Sequence, residues 1–202
     1  MDCLSEWDKD KRKKMEGRRY KADIDCGLAA VKLLRQNLNS NIEWVYIEGN
    51  HEERLARYLD RDPTFDGVVG IHQDLCPDWT WVPYRSNFMV RGTAYTHVPM
   101  NNMNKPVGGK YAVQKALDLY SCSVVFGHTH GLSVGCAYRH GATHLQQSLN
   151  IGCFFEGVDD YAVGSLTTYW RGIVVLNHYS TNRFDFESIA LGRLNKEYGS
   201  AK

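Results

Sequence analysis

The sequence predicts an α/β protein, with β/α units over its first two thirds and a mostly antiparallel sheet in its last third. Three observations carry this reading. Two short histidine motifs, Gly49-Asn50-His51-Glu52 and Gly127-His128-Thr129-His130, each follow an apolar, β-prone run. Ile24, Leu28, Val31, Leu34 and Leu38 fall at spacings of 4, 3, 3 and 4, which is one face of an α-helix. Near the end, Phe184 and Phe186 alternate with Asp185 and Glu187, the two-residue period of a strand with one buried face.

The elements follow in order. Asp8 to Lys21 carries eight Lys or Arg with Asp8, Asp10 and Glu16 among them, the composition of a solvated helix face or loop rather than of a phosphate-binding stripe. The helix from Ile24 to Leu38 ends in Asn37-Leu38-Asn39-Ser40-Asn41, and a strand over Ile42 to Ile47 leads into Gly49. Glu52 to Leu59 reads as a short helix stopped by Asp62-Pro63. Residues 63–87 hold three of the five prolines and read as a long connection with short elements. Phe88-Met89-Val90 is a third apolar run, and His97 follows it. Asn101 to Gly109, rich in Asn and Gly, is a loop that serves either to face a substrate or simply to connect. Tyr111 to Tyr120 is helical, with Ala112, Ala116, Leu117 and Tyr120 as its buried face. Cys122 to Phe126 is the strand before the second motif, and Ser148–Phe155, Thr168–Leu176 and Arg183–Ile189 are β-prone. With no repeat and no low-complexity linker, residues 1–202 are expected to form a single domain.

Composition excludes several classes. Charged residues make up 23% and hydrophobic residues 43%, ordinary for a globular chain, and the formal net charge of +1 demands no anionic partner. The six cysteines are widely spaced without a CxxC, as expected of free intracellular thiols. No apolar run approaches the roughly 20 residues that span a bilayer, so no membrane partner and a cytoplasmic location are expected. Met1-Asp2-Cys3-Leu4-Ser5-Glu6-Trp7 reads like the middle of a domain, which suggests an earlier start or a shortened version of a longer protein.

The histidines are candidates for metal chemistry. A neutral imidazole at a strand end offers a nitrogen to Zn, Mn, Fe or Ni, and an Asn carbonyl offers a harder oxygen. Asn50, His97, His128 and His130 leave three separate runs, which suits one preorganised centre. If Gly127 to His130 is extended, His128 and His130 point to one side and can serve two adjacent ions, while Thr129 points away. A lone His after a strand is more often a capped surface residue, whereas both motifs in this order, with His97 between, make a family signal. His72, His140, His144 and His178 fit no motif and read as surface or structural, with His140 and His144 as further candidates for substrate contact. Tyr169 and Trp170 read as core or sheet anchors rather than base-stacking platforms.

On these motifs the chain resembles the calcineurin-like metallophosphoesterases, closest in texture to phage and bacterial members, over nearly everything from Met1 to about Leu194. The family's ordered motifs are D-x-H, G-D-x-x-D, G-N-H-D/E, a single His and G-H-x-H, and the last three match Gly49 to Glu52, His97 and Gly127 to His130. The resemblance implies an αββα sandwich and two divalent ions (Mn, Fe, Zn or Ni), with Asn50, His97 and His128 on one and His130 on the other. It implies that His51 is catalytic beside the scissile phosphate and that Glu52 orients His51 through its ring N–H. A metal-activated hydroxide would attack a phosphodiester or phosphomonoester, with nucleic acid or nucleotide favoured as substrate. If phage-encoded, the protein would work in the host cytoplasm.

Neither D-x-H nor G-D-x-x-D precedes Gly49. Asp2 most resembles the second Asp of the latter, so the expected fold is the sandwich truncated at its N-terminus, with its first one or two strands missing. The remaining ligands are all neutral, which weakens binding of hard ions and leaves room for one ion or none. The alternatives are a catalytically inactive relative acting as a binding domain and a fragment completed in trans.

Overall fold

A single turn, Arg12–Met15 (α1), and a 17-residue helix, Tyr20–Gln36 (α2), realise the helical spacing that runs through Ile24 and Val31. They belong to a computed structural model that describes residues 10, 12–36, 38, 41–70, 76–138, 140–141, 144–157 and 168–199. The expectations placed on Met1 to Trp7 and on His72 lie outside these residues. The chain is mixed α/β and divides into two compact units, Met1–Tyr84 and Arg85–Lys202.

In the first unit α2 is followed by strand β1 (Val45–Ile47), helix α3 (Glu53–Arg61), a 3₁₀ turn at Pro63–Phe65 and strand β2 (Thr80–Val82). β1 and β2 pair in parallel, with Tyr46 opposite Trp81. Aromatic rings cover this short ladder: Trp44 stacks on Trp79 at 4.6 Å, and Tyr46 lies 4.4 Å from Trp81. The apolar face of α2 is left uncovered by the described residues. No residue of α2 is buried, and Leu28 and Leu34 are exposed. Two strands of three residues cannot cover a helix about 25 Å long.

The second unit is layered. Strands β3 (Phe88–Val90), β4 (Thr93–Tyr95), β5 (Val124–Phe126), β6 (Leu132–Ala137) and β7 (Gln146–Ile151) form one sheet in the order β3-β4-β5-β7-β6. β4, β5 and β7 run parallel, while β3 and β6 are antiparallel edges. Helix α4 (Ala112–Leu119) lies between β4 and β5 in sequence and covers one face. Its Ala112, Val113 and Ala116 pack with Ala94, Val124 and Phe126. The hairpin of β8 (Gly172–Ser180) and β9 (Arg183–Ala190) covers the other face, where Phe184, Val174, Leu176 and Phe186 meet Val125 and Leu149. Helix α5 (Leu191–Tyr198) follows.

Two strand expectations change. His97 does not follow β3 directly, because a tight turn with Arg91 at φ 47° and Gly92 at φ 80° sends the chain back as β4, and β4 carries His97. Two consecutive positive φ values are the mark of the hairpin turn whose twist matches its strands. β6 and α5 were not anticipated. Among the described residues no helix is long and apolar enough to cross a membrane.

Candidate functional site

The parallel strands β4, β5 and β7 end on the same edge of their sheet, and each end delivers a piece of the site. β4 runs into Thr96-His97, β5 into Gly127-His128-Thr129-His130, and β7 into Gly152-Cys153-Phe154-Phe155. Ligand sites at the carboxyl ends of parallel strands follow from this geometry, since the loops there are free to vary above a rigid ladder.

His97 and His128 are brought together. His97 Nε2 lies 3.1 Å from His128 Nδ1, with the rings edge to face at 5.0 Å. The backbone fixes the approach, because the His97 carbonyl accepts from the N–H groups of Gly127 (3.2 Å) and His128 (3.1 Å). For metal–nitrogen bonds of about 2.05 Å, this separation corresponds to an angle of roughly 100° at a shared cation, between octahedral and tetrahedral. The pair therefore fits two adjacent ligand positions. Among the described residues, no group of three or more His, Cys, Asp or Glu is gathered closely enough to hold a metal ion.

Gly127 to His130 is not extended, which corrects the expectation that His128 and His130 share a strand face. The His130 N–H donates to the Gly127 carbonyl at 3.0 Å, closing a tight turn, and His130 itself has φ 60°. The ring of His130 stands edge-on to Tyr169 at 4.8 Å and to Phe155 at 5.5 Å. Thr129 Oγ1 is hydrogen-bonded to Asn150 Nδ2 from the end of β7, and Asn150 Oδ1 is buried without a partner.

The segment 168–172 supports this turn. The Trp170 N–H donates to the His130 carbonyl at 2.9 Å. Trp170 is held from both sides, because a Cβ on Gly152 or on Gly172 would fall within 2.6 Å of it. This is the anchor that the sequence suggested. Arg171, which the sequence reading passed over, lays its guanidinium 5.6 Å from the centre of Phe155 and 5.8 Å from that of Tyr169. The available signal was a cation directly after two aromatic residues. Its Nη2 donates to the Gly157 carbonyl, its Nε is buried without a partner, and no carboxylate pairs with it among the described residues.

Asn50, His51 and Glu52 lie in the first unit, on the turn between β1 and α3. The N–H groups of Glu53, Arg54 and Leu55 bond to the carbonyls of Gly49, His51 and Glu52, so the motif winds straight into α3. The Arg54 guanidinium meets His51 Nε2 at 3.2 Å. A guanidinium only donates, so Nε2 accepts and the ring proton sits on Nδ1. Glu52 reaches back: its Oε2 accepts from the buried Gly49 N–H at 2.7 Å and its carboxylate bonds the Tyr46 hydroxyl. Burial, and then the Glu52 charge, push the Tyr46 phenol well above its usual range.

The other histidines separate. His178 is structural, its Nε2 2.7 Å from the Tyr95 hydroxyl. His140 is exposed and His144 half-buried. In the loop after His97, Asn101 Oδ1 accepts from the N–H groups of Met103 and Lys105, a self-bonded turn that needs no ligand to hold its shape. Cys26, Cys76, Cys122, Cys136 and Cys153 are free thiols. In comparisons with known proteins, no family model, no curated protein and no solved structure matches this chain.

Proposed function

We propose that this chain is a metal-dependent phosphoesterase of calcineurin-like type. The observation that carries the reading is the convergence of His97 Nε2 and His128 Nδ1 to 3.1 Å at the carboxyl edge of parallel strands. The layering of the second unit, with a helix, a mixed sheet and a two-stranded sheet in succession, matches three of the four layers of an αββα sandwich and supports that fold. The order of the Gly49–Glu52, His97 and Gly127–His130 motifs supports the same class.

In this reading His97 and His128 hold a divalent cation, whose chemistry when bound is to polarise a phosphoryl oxygen and to supply hydroxide near neutral pH. The chain's own groups do the rest. The turn at Gly127 fixes His128 without help from a ligand. Motif order assigns His51 the exchange of a proton with the leaving oxygen, and within the first unit Arg54 sets its tautomer. Glu52 holds the turn that presents Asn50 and His51. The roles of Asn50 and His130 as further ligands rest on motif order.

The test is hydrolysis of bis(4-nitrophenyl) phosphate by the full chain with added Mn²⁺. Weak, chelator-sensitive turnover is expected, and it should disappear in His128→Ala and in His51→Ala. Turnover that survives both substitutions overturns the assignment. Metal binding through His97 and His128 with no turnover on diesters or monoesters would favour the binding-domain alternative instead.

A further inference from the structure

We propose that Arg171, with the rings around it, forms a nucleotide-recognition subsite beside His130. This rests on the phosphoesterase reading and specifies its substrate class. Arg171 is adjacent to the candidate centre by backbone connection, since the residue before it donates its N–H to the His130 carbonyl. Its guanidinium and the His130 imidazole pack on the same two rings, Phe155 and Tyr169.

The chemistry of Arg171 points to an anion. A guanidinium that faces aromatic rings keeps its N–H groups free along its edge, in the plane that matches two oxygens of a phosphate. Here one edge nitrogen, Nη2, is held by the Gly157 carbonyl, which orients the group, and buried Nε has no acceptor. With no carboxylate beside it among the described residues, the cation is uncompensated at a strand edge that already carries His97, His128 and His130. A buried donor without an acceptor costs stability unless a ligand supplies one.

The second half of the ligand is aromatic. Phe154 leaves β7 next to Phe155 and exposes 62% of its surface. An exposed ring one residue along the chain from the ring that packs on the Arg171 guanidinium suits a ligand that joins a phosphate to a flat base, because every nucleobase offers a face for stacking. A phosphorylated peptide has the phosphate without the flat ring. Free nucleotides and the terminal nucleotide of a single strand share the chemistry, and affinity distinguishes them.

The experiment is calorimetric titration of the full chain, without added metal, with inorganic phosphate, deoxyadenosine 5′-monophosphate, a 5′-phosphorylated single-stranded hexanucleotide and a phosphoserine peptide. The nucleotide is expected to bind at least tenfold more tightly than inorganic phosphate. Arg171→Gln should weaken nucleotide binding about tenfold or more, and Arg171→Lys, which keeps the charge without the planar fork, should lie between. Phe154→Ala, at an exposed position that leaves the fold intact, should abolish the preference for nucleotide over inorganic phosphate. A hexanucleotide that binds tenfold more tightly than the mononucleotide identifies a strand as the source, and equal binding identifies free nucleotide.

Equal affinity for phosphate and nucleotide, indifference to both Arg171→Lys and Phe154→Ala, or tighter binding of the phosphopeptide overturns the proposal. The two readings fail separately. Nucleotide binding that depends on Arg171 without hydrolysis sinks only the phosphoesterase reading. Hydrolysis of the nitrophenyl ester with no nucleotide preference sinks only this subsite.

Discussion

His97 Nε2 and His128 Nδ1 stand 3.1 Å apart where β4 and β5 end. Two ring nitrogens this close cannot both carry protons. Either one N–H donates to the other's lone pair, or both lone pairs face a shared cation. The backbone bonds from Gly127 and His128 to the His97 carbonyl hold the pair in either state, so a cation bound by the two rings would meet ligands that are already placed. Zn²⁺ or Mn²⁺ at a hundred times its dissociation constant should therefore stabilise the protein against urea by about 2.7 kcal/mol. His97→Ala and His128→Ala should each weaken binding tenfold or more, and the double variant should show no stabilisation. Equal stabilisation of the double variant would place the metal elsewhere.

Glu52 anchors the first motif through Gly49 and Tyr46. Glu52→Ala leaves the buried Gly49 N–H without its carboxylate and should cost about 1.5–3 kcal/mol, the range for a hydrogen bond to a charged group. Glu52→Gln keeps an acceptor and should recover at least half of that. The Tyr46 phenol, raised first by burial and then by Glu52, should titrate lower in both variants. Ultraviolet difference titration against the wild type checks this, and an unchanged phenolate titration in Glu52→Ala would remove Glu52 as a cause.

Much of the second unit was legible because its signals are local. The buried face of α4 lies where Ala112, Ala116 and Leu117 repeat, and β9 lies where Phe184 and Phe186 alternate. β4 was missed because Thr93-Ala94-Tyr95 is only three residues long and its turn is Arg-Gly rather than Asn-Gly. The bend of Gly127 to His130 was missed for a different reason. An L-residue at φ 60° costs energy, and His130 is held there by its own N–H bond to the Gly127 carbonyl and by a tertiary bond from the Trp170 N–H, which no local pattern displays. Arg171 was passed over as a site residue because, of its two ring partners, only Tyr169 is local and Phe155 is sixteen positions away in the chain. The helical period of α2 was read correctly, but periodicity reports a face, not whether anything covers it.

His178 makes the β8–β9 hairpin sensitive to acid. The Tyr95 hydroxyl lies 2.7 Å from its Nε2, and burial raises the Tyr95 phenol, so Tyr95 remains the donor and the imidazole must accept as a neutral ring. Burial, and then the Arg91 charge, hold the His178 pKa below its usual value, against the opposing effect of the Arg183 backbone. A depressed folded-state value means that the contribution to stability is complete above the unfolded pKa of about 6.5 and is lost as pH falls through the folded value. Unfolding free energy should therefore drop on going from neutral pH to below pH ~6, and His178→Gln should flatten that part of the profile. An identical slope in the variant would assign the acid sensitivity to other groups.

Asn182 ties the β8–β9 turn to the sheet. It is buried at φ 62°, its Oδ1 accepts from the Ser123 N–H, its carbonyl accepts from Ser123 Oγ at 2.7 Å, and its own N–H donates to the Arg91 carbonyl at 2.6 Å. One residue thus joins the turn before β4, the entry to β5 and the hairpin above them. Asn182→Ala leaves the buried Ser123 N–H unpaired, at about 1–3 kcal/mol, and replaces a residue that tolerates the left-handed conformation with one that does not, at about 1 kcal/mol more. Asn182→Gly removes the second penalty and keeps the first. Urea denaturation should thus place both variants below wild type, Ala lowest, and the gap between Ala and Gly should be about 1 kcal/mol. Equal midpoints for Ala and Gly would show that the turn relaxes out of the left-handed region. A wild-type midpoint for Gly would show that the Ser123 amide finds another acceptor, and that the side chain of Asn182 is not what holds the hairpin down.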